Sequence, residues 1–155
     1  ADETYGGFQD FFAADIYKAL KPAITEKLLT ICFQVGKYLI SHAGLTRTWC
    51  RQWLVPEKSP AAIVNELFYT QPEAFRFSPG KKWEPTGDEP EQGPLWVRLH
   101  SLEMDGLNDF VQIVGHTQQP SIFKMPSLIC IDVLGYTPKY LEINEEGQTN
   151  IRTLA

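Results

Sequence analysis

His42, Arg98, His116 and Asp132 are the residues whose types and settings could do chemistry. His42 follows the β-rich run Lys37-Tyr-Leu-Ile-Ser41 and leads into Ala43-Gly44, a small-residue turn. His116 stands 74 positions later, closing Phe110-Val-Gln-Ile-Val-Gly115 and followed by Thr117. Each imidazole is therefore expected at the C-terminal end of an apolar strand beside a glycine, where ligands and metals collect in layered α/β folds. A lone strand-end histidine is more often tied to backbone, so the signal is the repeated setting. Neutral imidazole is the commonest side-chain ligand for zinc, manganese or iron. Two imidazoles do not complete a site, because such ions take roughly four to six ligands. Arg98, in Pro94-Leu-Trp-Val-Arg98, reads as the end of a short extended segment that shares a face with Trp96. It is either a surface arginine stacked on an aromatic or a planar fork for phosphate oxygens. Asp132, in Ile-Cys-Ile-Asp-Val, is either a buried carboxylate paired to backbone or an orienter of a ligand histidine. His100 has no companion and reads as a surface residue.

The elements that must position these groups follow from periodicity and punctuation. Residues 1–9 read as a polar lead-in. Asp10 can cap a helix from Phe11 to Leu20, with Pro22 just beyond its last turn. Leu28 to Val35 and Lys37 to Ser41 are two β-rich runs split at Gly36-Lys37, a hairpin pattern. Thr46 to Leu54 is a short amphipathic helix carrying Trp49 and Trp53. Ser59 as N-cap and Pro60 at the first helical position open another. Residues 71–93 hold four of the eleven prolines and three of the eleven glycines, so they form a long irregular connection. Strands are expected at 110–114, 122–125, 128–133 and 140–143. The fold class is α/β, a mixed α+β sheet with a helical insert, in one domain spanning 1–155.

Composition excludes several function classes. The chain has 155 residues, enough for one core. A net charge of −5 argues against a nucleic-acid backbone as partner. No apolar run approaches the ~20 residues that span a bilayer, so no membrane partner is expected. Cys32, Cys50 and Cys130 are odd in number and lack a CxxC spacing. They read as reduced core thiols in a cytoplasmic setting. No P-loop, GxGxxG or GxSxG is present.

Ser41-His-Ala-Gly-Leu-Thr46, Pro94-Leu-Trp-Val-Arg98 and Gly115-His-Thr-Gln118, in that order, resemble the C-terminal half of a calcineurin-like metallophosphoesterase. The similar branch holds serine/threonine phosphatases and diadenosine-tetraphosphate hydrolases. The resemblance covers about residues 36 to 143 and implies half of a four-layer sandwich. It implies that His42 and His116 are metal ligands, that Arg98 is the phosphate clamp, and that Asp132 lies on the late core strand. It also implies two divalent ions (manganese, iron or zinc) and a phosphate-ester substrate, a nucleotide polyphosphate or a phosphoprotein. The family's GDxHG, GDxxDRG and GNH[ED] turns, which supply the other ligands, are absent, and Gly87-Asp88 leads into Glu-Pro-Glu instead. The chain, which opens Ala-Asp-Glu-Thr, therefore reads as part of a longer protein needing an N-terminal half. The alternative is a degenerate homologue acting as an interaction module. A half-sheet alone would expose an edge and an apolar face, favouring association.

Overall fold

A computed structural model describes residues 12–53, 58–77 and 88–154. The chain forms two compact units, Ala1–Thr30 and Ile31–Ala155. The first contains helix α1, Ala13–Thr25, which runs through Pro22 instead of stopping before it. Proline removes one donor and crowds the preceding turn. The helix nevertheless continues and closes with Leu28 N donating to Ala23 O at 2.8 Å and Lys27 N to Ile24 O at 3.1 Å. Lys27 takes φ +55° there, the left-handed residue of a Schellman closure. The expected cap, Asp10, lies outside the described residues.

The second unit is built on a five-stranded sheet in the order β1-β2-β3-β5-β4. Its strands are β1 Cys32–Val35, β2 Tyr38–Ser41, β3 Val111–Val114, β4 Phe123–Met125 and β5 Leu128–Cys130. The mixed α+β class is therefore observed. β1 and β2 form the expected hairpin, with Val35 opposite Tyr38. Gly36 in the connecting turn has φ +54°, as the first central residue of a primed turn needs. β2 pairs parallel with β3, and β3 parallel with β5. Two strands come out shorter than expected: Leu28 to Ile31 precede β1, and Ile131 to Val133 follow β5.

Strand alternation sorts the core onto two faces. Leu39, Val114, Leu128 and Cys130 point to the side covered by α2 (Arg47–Trp53), α3 (Pro60–Thr70) and α4 (Leu99–Asp105). Ser59 caps α3 as expected, its Oγ accepting from Ala62 N at 3.2 Å. Tyr38, Ile113 and Ile129 point to the other face, where Leu141 and Ile143 pack on them. Those two belong to β6 (Lys139–Ile143), which pairs with β7 (Thr149–Thr153), a strand the sequence pattern does not reveal. The Tyr38 hydroxyl donates to Gly147 O at 2.8 Å and ties this hairpin to the sheet. All three cysteines are buried free thiols, and burial pushes Cys32 and Cys50 up to about 12.

The outer edge of the sheet at β1 is partly closed. Asn65 on α3 donates to Cys32 O at 2.7 Å and accepts from Cys32 N at 3.0 Å and Ile31 N at 2.8 Å. Its amide thus stands where a neighbouring strand would pair, which blunts the edge. Phe33 and Val35 remain exposed on the hairpin-side face.

Candidate functional site

The site forms where β2 and β3 end side by side. Because the two strands are parallel neighbours, with Ile40 opposite Ile113, both C-terminal ends emerge at one rim of the sheet. His42 lies one residue past β2 and His116 two residues past β3. Gly115 N donates to His42 O at 2.9 Å and fixes the two turns together. The ring nitrogens His42 Nε2 and His116 Nδ1 come to 3.1 Å. The centroids are 4.9 Å apart with the planes inclined at 60°. One ring donates to the other, and the tautomers decide which.

Both turns are conformationally demanding. Gly44 has φ +111°, and a Cβ there would lie 2.7 and 2.8 Å from the two methyls of Leu102 on α4. His116 has φ +64°, and Thr117 N donates to Gly115 O at 2.7 Å, so His116 is the centre of a positive-φ γ-turn. A non-glycine residue in such a region carries strain, which recurs at functional sites.

Trp96 stands beside His116. Its ring meets His116 edge-on at 6.3 Å and Phe77 at 5.4 Å, and its Nε1 donates to Phe75 O at 2.8 Å. Burial under these rings, the nearby Arg98 guanidinium and His42 together lower His116 to about 4, against a smaller opposing pull from the Trp96 backbone. His116 Nε2 is nonetheless buried without a hydrogen bond of ordinary geometry. Burial also lowers His42, offset in part by the charge of Asp132. At neutral pH both rings are accordingly uncharged, the form that binds metals.

The lowered values give a stability expectation for the metal-free chain. The unfolded chain takes up a proton at each imidazole near pH 6.5, whereas folded His116 resists until about 4. Stability is thus full above about pH 6.5 and falls as pH drops toward about 4. Thermal midpoints measured across that range should decline. A His42→Gln/His116→Gln double variant should decline less, and equal slopes would contradict the lowered values.

Arg98 is not on an extended segment. Pro94 to Trp96 form a turn in which Trp96 N and Val97 N both donate to Gly93 O, and Arg98 is the N-cap of α4. Asp88 Oδ1 accepts from Arg98 N and Ser101 N, each at 3.2 Å, and so caps that helix from a distant part of the chain. Pro94 O accepts from Ala43 N at 2.8 Å, which brings the turn against the His42 loop. Arg98 therefore reaches the neighbourhood of His116 by a tertiary route. Asp132 lies just past β5; its carbonyl accepts from Gln119 N at 2.8 Å, and its charge acts on His42 without a hydrogen bond to either ring. His100 is exposed on α4, as expected. The sequence gives Trp96 only as a neighbour of Arg98, and it gives no role to Asp88 or Gln112. Gln112 carried a usable signal as the one polar residue inside an apolar strand.

The spacing of the two nitrogens is compatible with a shared ion. Two nitrogen ligands about 2.0–2.1 Å from one ion stand roughly 2.9–3.4 Å apart, and the 3.1 Å spacing falls inside that range. An ion held at Nδ1 would leave the proton of His116 on Nε2, which is buried without a hydrogen-bond partner. Among the described residues, no group of three or more His, Cys, Asp or Glu side chains is placed to hold an ion. The pair alone would therefore not complete the coordination of an ion.

The fold resembles that of a phosphatase. A cold-active protein-tyrosine phosphatase of the psychrophile Shewanella sp. superposes with a TM-score of 0.51 at 15% identity, covering 81% of this chain and 43% of that one. A second structure of a cold-active protein tyrosine phosphatase gives 0.44 at 13% identity, with 81% and 42% coverage. The chain thus spans less than half the length of these structures. No family model matches the sequence, and no curated protein matches it. Among the described residues no helix is long and apolar enough to cross a membrane.

Proposed function

We propose that this chain is the C-terminal portion of a metal-dependent phosphoric ester hydrolase of the calcineurin-like metallophosphoesterase kind, half of a four-layer sandwich. The observation that carries the reading is the 3.1 Å approach of His42 Nε2 to His116 Nδ1 at the rim of two parallel strands. His42 and His116 present neutral imidazole nitrogens as ligands. The Arg98 guanidinium, close enough to depress His116, offers its planar fork to phosphate oxygens. Trp96, backed by Phe77, stands edge-on to His116. Asp132 lies near enough to favour the protonated form of His42, in opposition to burial. Two divalent ions, manganese, iron or zinc, would supply Lewis acidity and an activated water when bound. The remaining ligands would come from outside the described residues. The substrate is a phosphate ester, a nucleotide polyphosphate or a phosphoprotein. The buried free thiols support a cytoplasmic, reducing setting.

A second reading, a non-catalytic interaction module, is favoured by one observation: no third ligating group joins the pair among the described residues. Hydrolysis of p-nitrophenyl phosphate with added manganese separates the two. The chain alone should show negligible turnover, and a longer protein containing it should be active. In that protein Arg98→Ala should lower kcat/KM about 100-fold, the usual scale for losing one charge-stabilising donor. An unchanged kcat/KM would remove Arg98 from the site, and an inactive longer protein would favour the module.

A further inference from the structure

The geometry points to Gln112 as the positioning residue that sets the spacing of His42 and His116. Gln112 sits at the centre of β3, 2% exposed, on the face it shares with Leu39, Val114 and Leu128. Its carboxamide is engaged at both ends by one residue. Leu45 N donates to Oε1 at 2.7 Å, and Nε2 donates to Leu45 O at 2.9 Å. A buried amide is costly unless both ends are satisfied. Here both are spent on a single loop residue, three positions after His42.

That choice of residue matters because, of the bonds that hold the loop, this one ties it by a side chain to the strand that carries His116. Ala43 and Gly44 carry almost no side chain with which to anchor the turn. The main-chain groups that are fixed bracket it from both sides. His42 O accepts from Gly115 N at 2.9 Å, Ala43 N donates to Pro94 O at 2.8 Å, and the Gln112 clamp holds Leu45. Gln112 lies on the same strand that delivers His116 four residues later. One side chain thus references the His42 turn directly to the strand bearing the other histidine. An apolar residue of equal size would fill the volume and leave Leu45 N and O unpaired in the core. The turn would then have to rotate to find other partners, and the His42 ring would move with it.

This inference rests on the histidine-pair reading for its functional meaning, and its test separates the two. The metal-free chain, labelled with 15N, is examined for the scalar coupling across the His42 Nε2–His116 Nδ1 hydrogen bond, and its zinc affinity is measured by competition with a colorimetric chelator. Gln112→Leu and Gln112→Glu are compared with Leu67→Ala, which removes a buried side chain on α3 and leaves the clamp intact. The expected result is loss of the coupling and at least tenfold weaker zinc binding in Gln112→Leu, the scale seen for groups that orient metal ligands. Leu67→Ala should keep both while losing thermal stability. Should Gln112→Leu fail to fold, Gln112→Glu carries the test. It keeps the acceptor for Leu45 N, sets a carboxylate oxygen against Leu45 O, and should weaken both readouts. Full coupling in the Gln112 variants would overturn the inference, as would its absence from the unsubstituted chain. If the coupling depends on Gln112 but the unsubstituted chain takes up no zinc, positioning stands and the metal-ligand reading falls.

Discussion

Replacing His116 with alanine and with glycine is expected to abolish zinc binding alike, yet to leave the glycine variant the more stable by about 1–2 kcal/mol. The difference is the strain of a side chain in the left-handed region, where His116 sits at φ +64°. Elsewhere glycine is the worse choice by roughly 0.5–1 kcal/mol because it frees the unfolded backbone. A reversal of that order at one position is therefore diagnostic. Both variants lose the contact with Trp96 and the bond to His42, so these terms cancel in the comparison. Chemical denaturation of the two variants side by side measures it. Equal stabilities, or alanine ahead, would show that the γ-turn relaxes and that the site holds no backbone strain. The physical reading is that the turn is kept for where it aims the ring, at a cost in stability.

A larger loss is expected at Gly44. Gly44→Ala should cost about 2–4 kcal/mol, combining backbone strain at φ +111° with overpacking against Leu102. For a domain of this size that corresponds to roughly 4–16 °C in thermal midpoint. The two contributions can be separated. Leu102→Ala removes the methyls that lie 2.7 and 2.8 Å from the added Cβ, while leaving the backbone angle untouched. The double variant should therefore cost less than the sum of the singles by about 1 kcal/mol or more. Strict additivity would assign the whole loss to the backbone.

These two turns were also the most legible part of the sequence. Tyr38 to Ser41 and Phe110 to Val114 are β-rich runs that end in glycine-bearing turns, and such local patterns survive folding. That both strands would be parallel neighbours was not local information, and it is what brings the rings to 3.1 Å. Arg98 shows the opposite case. Leu95, Trp96 and Val97 have strong β propensity, but Gly93 O collects two amide protons and Asp88 caps the helix that follows. Tertiary hydrogen bonds overrode propensity there, and nothing at positions 94–98 announces it. Pro22 misled for a related reason, since a helix can lose one donor and continue. Strand β7, Thr149-Asn-Ile-Arg-Thr153, carries one aliphatic residue and is specified by its pairing with β6. The β1 edge is met by Asn65, a residue 33 positions from Cys32 whose role only the fold discloses.

The most direct test of the histidine pair is a zinc titration of the 15N-labelled chain, followed at the ring nitrogens of all three histidines. The expected result is that His42 Nε2 and His116 Nδ1 shift together at one stoichiometric point, while exposed His100 stays unchanged. Shifts at His100 alone, coordination through His116 Nε2, or no shift at either paired ring would contradict the account.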